Sequence, residues 1–210
     1  MKEFLVASDV IDYEHSAVRS LVAELGRGAE PAAVAARCFH WVRDNIRHSI
    51  DHQDEVVTLS ASDVLQQRTG LCYAKSHLLA ALLRANGIPC GFVYQRLALD
   101  DLGTSFCLHG LNAVWLTNHG WYRADPRGNR DGISTSFDPP QEHLAFVPTL
   151  PGEKTIERVF ANPLPVVIST LRQYTKLNEL CANLPDWPAE SPNVAETLHD
   201  STAAMRRGVK

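Results

Sequence analysis

Residues 70–89, GLCYAKSHLLAALLRANGIP, carry the strongest structural signal in the chain. A glycine stands two positions before Cys72, and the run from Cys72 to Asn86 has leucine and alanine on nearly all sides of a helix. A glycine directly follows Asn86 and a proline comes two residues later, as is usual beyond a helix C-terminus. The stretch therefore predicts a buried central helix that begins at Cys72.

This position gives Cys72 the features of an activated thiol. The N-terminal end of a helix offers unpaired N–H groups and a partial positive charge, and both stabilise a thiolate. Cys38 and Cys181 fall instead within apolar helical stripes, and Cys90 starts a strand, so we interpret these three as small buried hydrophobic residues. Cys72 is therefore the predicted nucleophile.

Two short strands carry the other candidate catalytic groups. Strands are predicted at 91–99, 108–116 and 121–125, with a hairpin turn at 117–120. His109 lies in an otherwise apolar strand, which is unusual unless its ring nitrogens bind something. Asp125 ends the partner strand 16 positions later, and an even separation lets both side chains face the same side of the sheet. The hairpin predicts His109 as base and Asp125 as the carboxylate that orients it.

The remaining segments predict the domain organisation. Further helices are predicted at Glu14–Leu25, from Pro31 onward, and between a capping Ser60 and Gly70. Residues 126–163 are rich in Gly and Pro and are predicted as loops with one short strand, and helical spacing returns over 165–184. Helices, then an antiparallel sheet, then a helix define an α+β domain. We predict one domain at 1–184, with its core at about 36–129, and a proline-containing C-terminal tail at 185–210.

Three blocks together resemble the core of the transglutaminase-like superfamily. They are GLCYAKSHLLAALLRANGIP at 70–89, HGLNAVWL at 109–116 and WYRADPRGN at 121–129. The resemblance implies a papain-like arrangement, in which a Cys-bearing central helix packs on an antiparallel sheet that carries His and Asp. By position it assigns Cys72 as nucleophile, His109 as base and Asp125 as orienting residue. The flanking segments resemble short, stand-alone bacterial members.

Two departures from the usual pattern leave substrate choice open. Cys90 and Gly91 follow the Gly-Ile-Pro turn, where many bacterial members have Arg, and Leu111 stands where Trp is frequent. The implied function is thiol-dependent acyl transfer, or hydrolysis of an amide or isopeptide bond in a peptide, protein or small amide. No cofactor, metal or calcium requirement is implied. Two alternatives stay open: a non-catalytic binding module on the same fold, and an amine acyltransferase.

Several further polar residues near the trio are candidates for roles in the site or on the helix surface. The backbone N–H of Cys72 is the natural first donor to an oxyanion, and Gln66, Gln67 and Gln95 are candidates for the second. Lys75 and His77 are assigned to the polar face of the central helix rather than to the cleft. A metal site that combines Cys107 and His109 with Cys72 or His77 is disfavoured, because the close ligand pairs of structural zinc sites are missing.

Composition limits the partners and the location. The chain has 210 residues, a formal net charge of -4 and no basic stripe, so neither nucleic acid nor an anionic membrane surface is an expected partner. The apolar run at the N-terminus is broken at Ser8, which is too early for a signal peptide, and five cysteines without close pairing indicate reduced thiols. A cytoplasmic location is therefore expected, and the oligomeric state is left open.

Overall fold

The structure, a computed structural model, describes residues 1–27 and 30–187. Its helices are α1 (Ser16–Leu25), α2 (Pro31–Asn45), α3 (Ser49–His52), α4 (Ala61–Gln67), α5 (Cys72–Ala85), α6 (Pro165–Gln173) and α7 (Leu177–Cys181). The capping prediction for α4 is confirmed, since Ser60 Oγ accepts a hydrogen bond from the Asp63 N–H at 3.2 Å. Among the described residues, none of the helices is long and apolar enough to cross a membrane.

The strands are β1 (Arg47–His48), β2 (Thr69–Gly70), β3 (Cys90–Ala98), β4 (Phe106–Leu116), β5 (Gly120–Ala124), β6 (Ser136–Asp138), β7 (Gln141–His143) and β8 (Lys154–Phe160). A four-stranded antiparallel sheet with the strand order β5-β4-β3-β8 lies beside the helices. The predicted hairpin of β4 and β5 is confirmed, as is the α+β class.

Two predictions about the second half of the chain are wrong. Residues 126–163 contain three strands rather than one, because β6 and β7 pair with each other and β8 returns to pair with the distant β3. The helical stretch over 165–184 is two helices, since Tyr174 and Lys176 adopt extended backbone conformations between them. Long-range pairing partners such as that of β8 leave little trace in local periodicity.

The central helix α5 is buried along Cys72–Arg84, as predicted, between helices α1, α2 and α4 and the sheet. Within this described stretch the helix has no solvent-exposed polar face, because its polar side chains are buried too. The Lys75 ammonium donates to the carbonyls of Arg43 and Ile46 at the C-terminal end of α2, and the His77 Nδ1 atom lies 2.7 Å from the Leu59 carbonyl oxygen. The assignment of Lys75 and His77 to a solvated face is therefore wrong, because neighbouring segments cover both side chains.

One edge of β4 organises the site. β5 pairs with β4 only over residues 112–116, so the earlier part of β4 extends beyond it. On this extension the Gly110 N–H donates to the Cys72 sulfur at 3.5 Å, and the Leu108 N–H donates to the Pro185 carbonyl at 2.7 Å. The start of α5 and Pro185 thus meet at this edge. The domain boundary at residue 184 stays a prediction, and residues 188–210 of the predicted tail lie outside the described residues.

Candidate active site

His109 and Asp125 form a buried pair. His109 Nε2 lies 2.7 Å from Asp125 Oδ2, and the aspartate side chain is completely buried. The carboxylate also accepts hydrogen bonds from two backbone N–H groups, those of Arg127 at 3.2 Å and Ala145 at 3.1 Å. Because Nε2 is engaged by Asp125, Nδ1 is the ring atom left to exchange a proton with a thiol. The carboxylate therefore fixes the orientation of the ring.

Cys72 lies at the first position of α5 and is 7% exposed. Within the described chain no side chain caps this helix end, so its first N–H groups are not satisfied by a capping residue. The Gly110 N–H provides a further donor to the sulfur. Cys72 and His109 line the same cavity, and the charge of Cys72 is among the causes that raise the pKa of His109. Uncapped N–H groups and the helix dipole give the sulfur a locally positive environment.

The electrostatics of the pair favour a charged histidine. Burial alone would lower the pKa of His109, but the charges of Asp125 and Cys72 outweigh it and raise the pKa to about 10. Burial likewise opposes ionisation of Asp125, yet its pKa is lowered because the His109 charge and the hydrogen bonds it accepts stabilise the carboxylate. Asp125 thus stabilises the protonated form of His109, and the His109 charge in turn stabilises the carboxylate.

A cavity of about 440 Å³ opens onto the thiol and the imidazole. The rest of its wall comes from the segments beside β1, the start of α5, the end of β3, the start of β4 and the loop that precedes β8, together with Arg127 and Leu184. These wall residues are His48, Ile50, Leu71, Tyr73, Leu97, Ala98, Leu99, Cys107, Leu108, Arg127, Ala145, Phe146, Val147, Thr149, Leu150, Glu153 and Leu184. Cys72 and His109 are therefore accessible to a small ligand from one side.

Sequence reasoning missed His48, which is buried in the cavity wall. β1 runs parallel to β2, and the pairing of His48 with Gly70 brings the ring beside the turn that precedes Cys72. Its Nδ1 atom is buried, lies 3.6 Å from Asp51 Oδ2 and finds no hydrogen-bond partner within the described chain. Burial, with the nearby Arg127 charge, lowers the pKa of His48 to about 3, so the ring is neutral at neutral pH.

Arg127 and Phe146 were also missed. Arg127 makes a bidentate ion pair with Asp51, at 2.8 and 2.9 Å, while its backbone holds Asp125. The Phe146 ring meets the His109 ring edge to face, with 5.0 Å between centroids. These residues stabilise the loops on both sides of the imidazole. The WYRADPRGN block already contained Arg127, but nothing in the sequence pointed to its partner.

The three candidate glutamines do not reach the cavity. Gln66 and Gln67 are exposed at the end of α4. Gln95 is opposite His109 on β3, but its Nε2 donates to the Phe146 carbonyl at 3.1 Å and to Thr155 Oγ1 at 3.4 Å. None of these three glutamines lines the cavity in the part of the chain that the structure describes. Gln95 instead supports the loop that covers His109.

The residues of the alternative metal site do not come together in the described part of the chain. Across residues 1–27 and 30–187 there is no group of three His, Cys, Asp or Glu side chains arranged to hold a metal ion. His77 is turned toward the Leu59 carbonyl. Each of the five cysteines, all of them within the described residues, is a free thiol.

The chain matches the family model of the transglutaminase-like superfamily over residues 19–126, just over half its length, and it belongs to that superfamily. Among solved structures it is similar to a candidate cysteine protease from Cytophaga hutchinsonii (20% identity, 59% of this chain and 40% of that chain, TM-score 0.47). The periplasmic domain of TgpA from Pseudomonas aeruginosa in its ethylmercury complex matches at 21% identity over 60% of this chain and 47% of that one, with a TM-score of 0.42.

Red sea bream transglutaminase is also similar, at 17% identity over 52% of this chain and 26% of that one, with a TM-score of 0.40. The chain thus spans less than half the length of each of these three structures. No curated protein matches it.

Proposed function

We propose that the chain is a cysteine-nucleophile enzyme that hydrolyses or transfers acyl groups from an amide, isopeptide or ester. The observation that carries the proposal is the 2.7 Å contact between His109 Nε2 and Asp125 Oδ2. It leaves Nδ1 as the ring nitrogen available to Cys72, which lines the same cavity at an uncapped helix N-terminus. Family membership supports the same chemistry.

In the first step the Cys72 thiolate attacks the carbonyl carbon, and a carbon–sulfur bond forms. The tetrahedral intermediate collapses, the bond to the leaving group breaks, and the leaving group takes the proton from His109 Nδ1. Water or an amine then attacks the thioester, gives its proton to His109 and releases the acyl product with the thiolate. Asp125 stabilises the imidazolium whenever His109 carries the proton.

The negative oxygen of the intermediate needs donors, each worth roughly 3 kcal/mol in typical enzymes. The N–H of Cys72 supplies one. We assign the second to His48 rather than to a glutamine, because its neutral ring lies in the cavity wall and its proton is not fixed on Nδ1 by a hydrogen bond. The assignment requires the Nε2–H tautomer of His48, with this N–H directed into the cavity.

The test is detection of the acyl-enzyme. The protein is mixed with 4-nitrophenyl acetate, quenched, and digested for mass spectrometry, in wild type, Cys72→Ala, His109→Ala and Cys107→Ala. Cys107 is the matched control because its thiol lines the same cavity. We expect an acetyl adduct on Cys72 in wild type and Cys107→Ala, and none in Cys72→Ala or His109→Ala. An adduct on Cys107, or none at all, would favour the non-catalytic binding module.

The acceptor is tested in the same assay. Excess of a primary amine is added, and the released product is identified as acid or amide. The acid supports the hydrolase that we prefer, and the amide supports the acyltransferase alternative. The cytoplasmic location and the peptide, protein or small-amide substrate stay proposals.

A further inference from the structure

We propose that the cavity binds the acyl part of the substrate as an uncharged, apolar chain, so that the preferred acyl donors are aliphatic or aromatic. The inference rests on the proposed acyl-transfer function and specifies its substrate class. Three observations support it: the wall of the cavity, the exposure of its mouth and the pairing of its charges.

Most of the wall beyond the catalytic residues is hydrocarbon. The side chains that form it include Leu97, Leu99, Leu108, Phe146, Val147 and Leu150. The volume of about 440 Å³ falls within the range of about 300–1,000 Å³ that small-molecule sites occupy. Cys72 and His109 line this same cavity. An acyl chain bound there therefore places its carbonyl carbon next to the thiol.

The mouth of the cavity exposes large apolar side chains to solvent. Val147 is 77% exposed and Leu99 is 53% exposed, and they stand on different segments of the wall. Their position beside the nucleophile distinguishes them from a hydrophobic residue that is exposed alone. A bound acyl chain would remove this surface from water, which is favourable in proportion to the apolar area buried.

The guanidinium of Arg127 in the wall is already paired with a carboxylate. Both guanidinium N–H groups of Arg127 that face Asp51 donate to its two carboxylate oxygens, at 2.8 and 2.9 Å. The Arg127 side chain is buried, so it has no exposed donor fork for a carboxylate on the substrate. A substrate carboxylate would lose its hydration without gaining a free cation.

The Glu153 carboxylate in the wall already accepts hydrogen bonds through both oxygens. Glu153 accepts from the Ala98 N–H at 2.9 Å through Oε1, and from two N–H groups of its own loop, at 2.7 and 2.9 Å, through Oε2. These hydrogen bonds lower its pKa. The carboxylate is therefore committed to holding the loop, and a cationic chain is the rival substrate that the experiment must exclude.

The experiment uses acyl donors of matched length. Values of kcat/KM are measured for the 4-nitrophenyl esters of hexanoate, of adipate (with a terminal carboxylate), of 6-aminohexanoate (with a terminal ammonium) and of acetate. We expect hexanoate to exceed each of the other three at least tenfold. The adipate and 6-aminohexanoate chains would bring an unpaired charge into the cavity, and acetate buries too little apolar area. Preference for the adipate or the 6-aminohexanoate ester overturns the inference.

Two lysine variants locate the effect. Val147→Lys introduces a cation at the mouth, and Leu102→Lys introduces one at an 86% exposed position of the β3–β4 loop outside the cavity wall. Both positions are solvent-exposed, so we expect both variants to fold. We expect Val147→Lys to lower the hexanoate:adipate ratio about tenfold and Leu102→Lys to leave it unchanged. Equal effects of the two variants contradict the proposal.

A second measurement does not depend on turnover. Hexanamide, adipamic acid and 6-aminohexanamide are compared as protectants of Cys72 against iodoacetamide. Protection by hexanamide alone supports an apolar cavity even if no ester is turned over, in which case only the proposed function fails. Turnover with equal protection by all three amides leaves the function intact and rejects the substrate class.

Discussion

His109 Nε2 and Asp125 Oδ2 lie 2.7 Å apart, just beyond the paired part of the β4–β5 hairpin. The register pairs Asn112 with Ala124, so Asp125 stands one residue beyond the paired part of β5. It is held there by the backbone N–H groups of Arg127 and Ala145 instead of by the strand ladder. The carboxylate is therefore fixed independently of the hairpin end.

Asp125→Asn is expected to lower kcat by roughly 10²- to 10⁴-fold, because an amide neither fixes the ring orientation nor stabilises the imidazolium. It also shifts the pH profile. The raised pKa of about 10 keeps His109 protonated through the neutral range, and activity is lost as the pH rises through that value. Without the Asp125 charge this upper limit moves to lower pH. The pH dependence of kcat is the measurement, with the exposed Asp101→Asn as control, and an unchanged upper limit contradicts the role.

His48→Phe separates stabilisation of the intermediate from activation of the thiol. The ring is preserved in size but loses its N–H, so we expect kcat to fall about 100-fold. The alkylation rate of Cys72 is expected to change less than twofold, because His109 and not His48 pairs with the thiolate. Steady-state kinetics and iodoacetamide labelling are compared on the same preparation. Equal losses in both would show that His48 acts on the nucleophile or on the fold instead.

Gly110→Ala tests the close approach of α5 to the sheet. A Cβ atom at this position would lie 2.9 Å from Tyr73 Cδ1, which is too close, so the Tyr73 ring or the start of the helix must shift. We expect kcat/KM to fall at least tenfold and stability to fall by about 1–3 kcal/mol.

Gly87→Ala is the control for Gly110→Ala. Gly87 lies just past the other end of α5, and its positive φ of 73° makes alanine costly by about 1 kcal/mol while leaving space for the methyl group. This variant loses stability without losing kcat/KM. If Gly110→Ala is as active as Gly87→Ala, the spacing of helix and sheet does not control the site.

Cys72, His109 and Asp125 could be selected as candidate residues from the sequence because each carries a local signal. Cys72 begins a strongly patterned helix, and His109 interrupts an apolar strand that a tight turn connects to Asp125. Their assembly follows from the hairpin and from helix-on-sheet packing, both of which short-range patterns encode.

His48 could not be predicted in the same way. It reaches the site through the two-residue strands β1 and β2, which pair across more than twenty positions and are too short to show a period. Lys75 and His77 were misassigned for a related reason. Polar residues on a helix indicate a solvated face unless other segments cover them, and here the end of α2 and the segment before α4 do so.

Lys75→Met is expected to change the pH dependence of stability. Burial lowers the pKa of Lys75 to about 7, whereas the unfolded chain has an ordinary value of about 10.4. Between these values the unfolded chain binds more protons, so wild-type stability rises with pH relative to Lys75→Met. The difference should change by roughly 2–4 kcal/mol from pH 7 to pH 10. Urea unfolding at several pH values measures it, with the exposed Lys154→Met as control. A constant or opposite difference contradicts a depressed pKa.

The most direct test of the triad is the alkylation of Cys72 by iodoacetamide from pH 5 to pH 10, mapped by mass spectrometry. Cys107 and Cys181, both partly exposed, serve as internal controls in each sample. In wild type we expect Cys72 to react at pH 6 nearly as fast as at pH 8, at least tenfold faster than either control. In His109→Ala we expect that advantage at pH 6 to disappear. If Cys72 follows the controls across the pH range in both proteins, the thiolate–imidazolium pair does not exist and the proposed enzyme mechanism is wrong.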